Sequence, residues 1–576
     1  MVAASFLLPP FERLRDGVAK LAKSFREWRL CVRECRNSWR VSLRVSFATG
    51  GFQVTSPRKL ARFSGGRLRV DRNHHPMTSH EDNRDSVSTR SKTLALIAAL
   101  LGWLFDGFEM GLFPVIARPA LRDLLSTATA GLDARSAEDL VGLWNSITIA
   151  GFLVGAAAGG VLFGWLGDRI GRVRAMSLSI LTYALFSGLG AFVAAPEQMV
   201  AVRFVAALGM GGEWSLGVAL VMEVWGGRSR ALLAGLIGAA ANLGYALVAT
   251  LSLSLDAMRQ TLEGWGLSES WVQWRALMLC GVLPAFLTLF VRLFVPESQR
   301  WEQEHKSGST TGWRTQDLLG VLFGVVCCFG IIGLWSFELP LTWRLLGTGL
   351  GLILVAAGYL YPVFQYMLRS ADTWQATSSA APNVIIRRML VGAMVSGIPL
   401  LGTWASVQWA TMWADQLAVG QPSAKAYTQL VSALGAVAGG FAGAALGAWA
   451  GRRIAYVVLC LGSFATVWLF YNTNTEFGVW FLLTVGCMGG VTAAFYGWLP
   501  LYLPELFPTR VRATGQGFSF NFGRILAAIG ALQTSAIMQS FDGGYPTACT
   551  AMASVYFIGV FVIWLAPETK SKRLDD

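Results

Sequence analysis

Charge is scarce in this chain. Only 14% of its 576 residues are Asp, Glu, Lys or Arg, against about 25% in an average soluble domain, which excludes a soluble globular fold for most of the length. Histidine is scarcer still: the four present (His74, His75, His80 and His305) all lie outside the apolar runs, so an intramembrane histidine relay is excluded. Cysteines 31, 35, 280, 327, 328, 460, 487 and 549 show no metal-ligand spacing and read as small core residues rather than a disulfide framework. No G-x-x-x-x-G-K-[ST] loop occurs to cradle a nucleotide phosphate, and no H-E-x-x-H or nucleophile elbow is present. An ATP-driven pump and a membrane-embedded enzyme are therefore disfavoured, and no cofactor or metal is expected.

The formal charge of +13 suggests a nucleic-acid partner until it is located. Residues 1–76 hold 16 Lys/Arg against 5 Asp/Glu, which accounts for +11 and leaves the remainder nearly neutral. Residues 1–93 show no sustained period and end in a polar run. They read either as a basic, disordered extension on anionic lipid or, for 1–76, as an artefact of gene-start assignment with Met77 the working start. Nucleic acid is not an expected partner.

What the chain has in abundance is apolar length. It is 54% hydrophobic, with a mean hydropathy of +0.49. Runs of about 20 residues, each enough to cross ~30 Å of hydrocarbon as a helix, recur near 94–116, 142–163, 175–195, 198–222, 231–255 and 275–295. Two more follow at 317–337 and 343–366. A last set runs 389–412, 427–448, 454–471, 478–502, 513–538 and 547–566. Backbone polar groups in lipid must be satisfied internally, so the expected fold is an all-α integral membrane bundle of about fourteen helices. Its domains are a six-helix half at 94–295, an inserted pair within 296–388, a second six-helix half at 389–568 and a tail at 569–576. Arginines concentrate in alternate loops, as at 169/172/174, 387/388 and 452/453, so the positive-inside rule places both termini in the cytoplasm. The inserted pair keeps that parity.

Internal repetition relates the two halves. EVWGGRSRALLAG carries Glu223, Arg228 and Arg230; ELFPTRVRATGQG carries Glu505, Arg510 and Arg512 at identical spacing about 282 residues on. GWLGDRIGRVR at 164–174 has an echo in LGAWAGRR at 446–453, with Ala448 where Asp168 should recur. Three glycines (Gly164, Gly167, Gly171) permit a tight loop between two spans. One acid set among Arg169, Arg172 and Arg174 forms a gating loop, ion-paired in one state and broken in another.

Ionisable residues inside apolar runs are functional candidates by default. Asp106 and Glu109 are three apart on the first span and so share a face; both are candidate proton carriers, as is Glu213 in the fourth span. Arg524, with Asn521 near it, lies in the run 513–538 and suits bidentate carboxylate recognition without losing its proton. Neutral candidates for a ligand site are Asn242, Tyr245, Gln408, Gln429 and Tyr496. Trp404, Trp409 and Trp413 read as interfacial belt residues, Trp413 above all, or as a sugar-stacking wall.

The spacing G-x-x-x-D-R-x-G-R at 164–172 resembles the signature loop of the major facilitator superfamily. R-x-x-x-x-x-G-x-G-G-E at 203–213 is similar to its fourth-helix motif, in which the arginine, here Arg203, is associated with proton coupling. Residues 274–305 and the fourteen-span plan resemble bacterial sialic acid:proton symporters, while PELFPTRVRATG resembles sugar and metabolite:proton symporters. The lactate-permease signature with its histidine is missing from 389–412. The resemblance implies a proton-coupled secondary transporter in the cytoplasmic membrane, monomeric among lipid, working by alternating access. Its substrate would be a small organic anion such as sialic acid or a related sugar acid. The alternatives are a neutral sugar, an aromatic or other metabolite acid, or a membrane nutrient sensor that binds without moving its ligand.

Overall fold

The computed structural model describes residues 89–570 apart from 226–228, 265, 267–270, 337–338, 372–380, 420, 422 and 533–543. Expectations for residues 1–88, and for Arg228, fall outside the described residues.

All regular structure among the described residues is helical. The first half comprises α1 (Thr89–Leu124), α2 (Ala134–Ile170), α3 (Arg172–Leu189), α4 (Pro196–Val224), α5 (Arg230–Gly264) and a broken α6 (Ala276–Cys280 and Pro284–Phe294). The inserted pair is α7 (Leu318–Ser336) and α8 (Leu341–Arg369). The second half comprises α9 (Pro382–Ala405, continued by Ala410–Leu417), α10 (Ala424–Ala450), α11 (Arg452–Thr473) and α12 (Val479–Ala493 and Phe495–Tyr502). It ends with α13 (Arg512–Asn521 and Gly523–Leu532) and α14 (Tyr545–Ala553 and Val555–Val562). Twelve of these are long and apolar enough to cross a membrane by themselves. The other two, α6 and α13, are crossings in pieces, so about fourteen helices stand as the sequence pattern predicts.

Local chemistry sets the ends and breaks. Asp133 caps α2 by accepting from the Ser136 N–H at 3.2 Å and its hydroxyl at 2.6 Å. Pro196, Pro284 and Pro382 open helices, where a missing N–H costs nothing. The break in α6 falls just before Pro284, where tighter turns run from Met278 to Leu283. The break in α9 falls at Ser406, whose hydroxyl turns back to the Gly402 carbonyl at 2.6 Å.

Small residues let helix backbones touch. A Cβ at Gly159 would collide with the Leu208 carbonyl of α4, and one at Gly211 with the Ala156 carbonyl of α2. The second half repeats this with Gly439 and Gly443 of α10 against Gly490 and Ala494. The halves meet along two seams: α2 with α13, where a Cβ at Gly164 would come within 2.7 Å of the Ala513 carbonyl, and α5 with α10 at Gly235, Gly238 and Gly440. The inserted pair packs on α2 and α13, alongside the first seam. Phe329 of α7 meets Phe204 of α4 with ring centroids 5.5 Å apart, and the outer faces of α7 and α8 (Leu322, Val326, Leu350, Ile353) are exposed.

One expectation is corrected. Trp413 is not a lipid-facing belt residue: it is 4% exposed, packed on Phe470, Tyr471 and Phe481 at centroid distances of 5.1–5.5 Å. An indole surrounded by three rings gains more from burial and ring contacts than from the interface.

Gly159→Val should force α2 and α4 apart. Overpacking of this kind costs about 1–3 kcal/mol, and the expected result is a lower unfolding midpoint in detergent than for Gly142→Val, whose Cβ meets nothing within 4 Å.

Candidate functional site

At the end of the bundle that carries the arginine-rich loops, the basic side, two related charge clusters lock the helices. In the first half the Arg172 guanidinium donates to the Gly167 carbonyl and to Asp168, each at 2.7 Å, and to Glu223 at 3.3 Å. In the second half Arg452 donates to the Gly447 carbonyl at 2.7 Å and to Glu505 at 2.8 Å. Ser298 donates to Glu223 and Thr569 to Glu505, each at 2.5 Å. Gly171 (φ +113°) and Gly451 (φ +93°) open α3 and α11 in a backbone region that favours glycine. The next carboxylates receive the freed N–H groups: Glu297 those of Arg172 and Val173, Glu568 those of Arg452 and Arg453.

The two capping acids differ in electrostatics. Burial pushes the Glu297 carboxyl above its ordinary range, and the N–H groups of Ser298 and Val173 and the Arg172 charge only reduce that rise. Glu568 is less buried; burial raises it, but four backbone N–H donors outweigh this and hold it below the usual range.

Asp168 breaks the symmetry, as Ala448 foretells. Besides Arg172 it accepts from the Thr514 N–H at 2.9 Å, the Thr514 hydroxyl at 2.6 Å and the Ala513 N–H at 3.3 Å. An acid of the first half thus caps the N-terminus of α13 in the second, where the helix dipole favours negative charge. Arg512 crosses back to Glu223 at 2.9 Å, Arg172 to the Thr509 carbonyl at 2.7 Å, and Arg510 to Glu304 at 2.7 Å. Arg169 goes instead to Thr315, at 2.9 Å, and Arg174 is exposed. On the opposite side, the ion pairs of the described residues each stay within one half: Arg118 and Arg122 with Glu138, Arg275 with Asp123, Lys425 with Asp415. On the basic side the halves are tied together.

Between the halves lies a partly enclosed cavity. It is walled by α1, α4 and α5 from the first half and α9, α10, α12 and α13 from the second; neither inserted helix contributes. Of the sequence candidates, Asp106, Asn242, Tyr245, Gln408, Gln429, Tyr496 and Arg524 line it. Arg524 is 3% exposed, with Nε and Nη1 lacking any hydrogen-bond partner, and the Asp106 Oδ1 opposite is likewise unpartnered. The two charges act on each other across the cavity. Phe520 stacks on Trp214 of the other half at 3.8 Å and 5°, and Arg524 lies 5.6 Å over the Phe520 ring.

Four candidates lie off the cavity. Glu109 is buried in an ion pair with Arg203 and accepts from Ser187; the Arg203 guanidinium also sits over Phe113 and Phe152, at 4.9 and 4.6 Å. Asn521 donates to the carbonyls of Gly211 and Gly517 at 3.0 Å and so ties α13 to α4. Glu213 is buried against Gly102 with neither oxygen hydrogen-bonded, facing the similarly unpartnered Tyr183 hydroxyl. Trp103, Trp214, Thr403 and Phe520 line the cavity without having been singled out, and nothing in their local sequence marks them. Glu297 and Glu568 did carry a signal: Pro-Glu-Ser at 296–298 and Pro-Glu-Thr at 567–569 occupy corresponding points of the two halves.

Asp168→Asn removes the charge from its cross-half bonds. Hydrogen bonds to charged groups are worth about 1.5–3 kcal/mol, so the fraction of molecules with parted basic-side ends should rise roughly tenfold or more. Electron–electron distance measurements between spin labels on Arg174 and Asn383, both exposed, should show a longer distance growing in.

The sequence profile of the sugar (and other) transporter family matches residues 94–317 and 364–576. A putative metabolite transport protein of Haemophilus influenzae is 25% identical over 84% of this chain and 97% of its own length. A probable 4-methylmuconolactone transporter of Cupriavidus pinatubonensis is 26% identical over 83% of this chain and 91% of its own. Among solved structures, the proton:xylose symporter XylE superposes with a TM-score of 0.59 at 18% identity, covering 84% of this chain and 98% of that one, and shares the fold. A fourteen-helix bundle with these repeated charge clusters, and a family match on both sides of the inserted pair, makes the chain a member of the sugar (and other) transporter family of the major facilitator superfamily.

Proposed function

We propose that this transporter carries a small organic anion across the cytoplasmic membrane by proton symport with alternating access, its basic side and both termini facing the cytoplasm. The observation that carries the reading is the confrontation of Arg524 and Asp106. They come from opposite halves, line one cavity and leave buried polar atoms unpartnered.

A guanidinium cannot shed its proton, and a buried charge without a partner is costly. Arg524 therefore needs an anion, either a substrate carboxylate or ionised Asp106. A bound anion competes with Asp106 for it, and Asp106 is then best held as the neutral acid. Proton and anion load together and leave together, which is symport. Glu213, buried facing the Tyr183 hydroxyl and with no cation beside it among the described residues, is best held as the neutral acid and supplies a second proton-holding group on the basic-side flank of Asp106. The Glu109–Arg203 pair is already satisfied and fits a role in joining α1 to α4. The clusters around Glu223 and Glu505, with Asp168 between the halves, act as the cytoplasmic latch that opens for release. A sugar acid such as sialic acid is the cargo implied by the resemblance of residues 274–305.

In proteoliposomes with the outside acidic, so that the proton gradient points inward, uptake of organic acids should fall at least thirtyfold in Arg524→Ala, since truncating one side of a buried charge contact costs about 2–5 kcal/mol. Asp106→Asn should abolish gradient-driven accumulation and retain anion exchange. Wild-type accumulation in Arg524→Ala would overturn the reading.

A further inference from the structure

Two contacts between the halves make the floor of the cavity on its basic side. Trp214 of α4 and Phe520 of α13 both line the cavity and stack face to face at 3.8 Å. A Cβ at Gly238 of α5 would come within 2.8 Å of the Tyr496 backbone of α12. Eight residues beyond Phe520 toward the basic side, about 12 Å at the rise of a helix, Arg512 of α13 reaches Glu223 of α4 at 2.9 Å.

Gln516 lies midway between Phe520 and Arg512, four residues from each and so on the face of α13 that both turn toward α4. It is fully buried, and neither its Nε2 nor its Oε1 has a hydrogen-bond partner among the described residues. The other polar side chains of this segment find acceptors. Thr514 donates to Asp168, Ser519 to the Met389 carbonyl at 3.2 Å, and Asn521 to the carbonyls of Gly211 and Gly517. A buried amide with donor and acceptor both unmade is less stable than an apolar side chain of the same shape, so packing alone gives no reason for a glutamine here.

We propose that Gln516 is a second, transient station for the transported anion, on the route from Arg524 to the cytoplasm. It is uncovered when Trp214 and Phe520 separate. Its N–H group then donates to a carboxylate oxygen, and its carbonyl accepts from a hydroxyl or a protonated acid. Being neutral, the amide holds a carboxylate less tightly than the Arg524 guanidinium does, so the anion leaves Arg524 without meeting a second deep trap. The proposal rests on the preceding reading that cargo passes between the halves, and it adds a contact that the cavity itself does not contain.

The first test needs no cargo. Gln516→Cys and Ser519→Cys, two fully buried positions of one helix, are made in the full chain. Inside-out vesicles, which present the basic side, are treated with sulfonatoethyl methanethiosulfonate, a small anion that labels thiols, and the labelled peptides are quantified by mass spectrometry. Position 516 should react at least tenfold faster than 519, whose side chain is turned to α9. Equal rates would overturn the station and leave anion symport standing. The second test is Gln516→Leu. It should keep or raise the unfolding midpoint in detergent, yet lower the maximal rate of gradient-driven sialic acid uptake at least fivefold with the outside KM within twofold. An unchanged maximal rate would overturn the station. If the unmodified chain takes up no sialic acid, that cargo is lost from the preceding reading, and the labelling ratio alone decides the station.

Discussion

Arg524 has to find an anion. It keeps its proton under all ordinary conditions, it is 3% exposed, and two of its nitrogens face no protein acceptor. The helices that meet at the cavity arrange everything else about this demand. Phe520 orients the guanidinium from one turn below, Trp214 fixes Phe520 from the other half, and Asp106 is the one acid among the described residues that line the cavity. Because the acid and the base belong to different halves, their attraction is also a force between the halves. Whatever neutralises Asp106 or occupies Arg524 changes how strongly they are drawn together.

The basic-side clusters give that force something to work against. Each half carries its own arginine–glutamate–hydroxyl cluster, Arg172–Glu223–Ser298 and Arg452–Glu505–Thr569. These bind helices within a half. Among the described residues the bonds that join the two halves on this side include Asp168 to α13, Arg512 to Glu223 and Arg172 to the Thr509 carbonyl, with Arg510 reaching Glu304 of the linking segment. Placing a single acid at the N-terminus of a helix from the other half yields a contact that is strong when seated and leaves no mirror-image partner to satisfy. Ala448 sits where a second acid would recur, so the closed state depends on one such cap.

The bundle was legible in the sequence because lipid imposes length and apolarity on each crossing, and the repeated Glu–Arg spacings exposed the two halves. The charged candidates were legible for the same reason, since an ionisable group in an apolar run is conspicuous. Sorting them was not. Asp106 and Glu109 lie three residues apart, yet one faces the cavity and the other is buried against Arg203; a shared face at helical spacing does not say which neighbour fills it. Asn521 and Arg524 show the same limit, one spent on the Gly211 carbonyl and the other open to the cavity. Trp413 was misplaced because amphipathic rings suit both the interface and a ring cluster. The aromatic lining was invisible in one dimension, since it assembles from four helices of both halves.

The central claim is that anion binding at Arg524 and protonation of Asp106 are one event. Calorimetric titration of the purified protein with its anion, repeated in buffers of different ionisation enthalpy, counts protons exchanged on binding. The account predicts uptake of about one proton per anion at neutral pH and none in Asp106→Asn. Binding of the anion to the unmodified protein with no proton exchanged would contradict it.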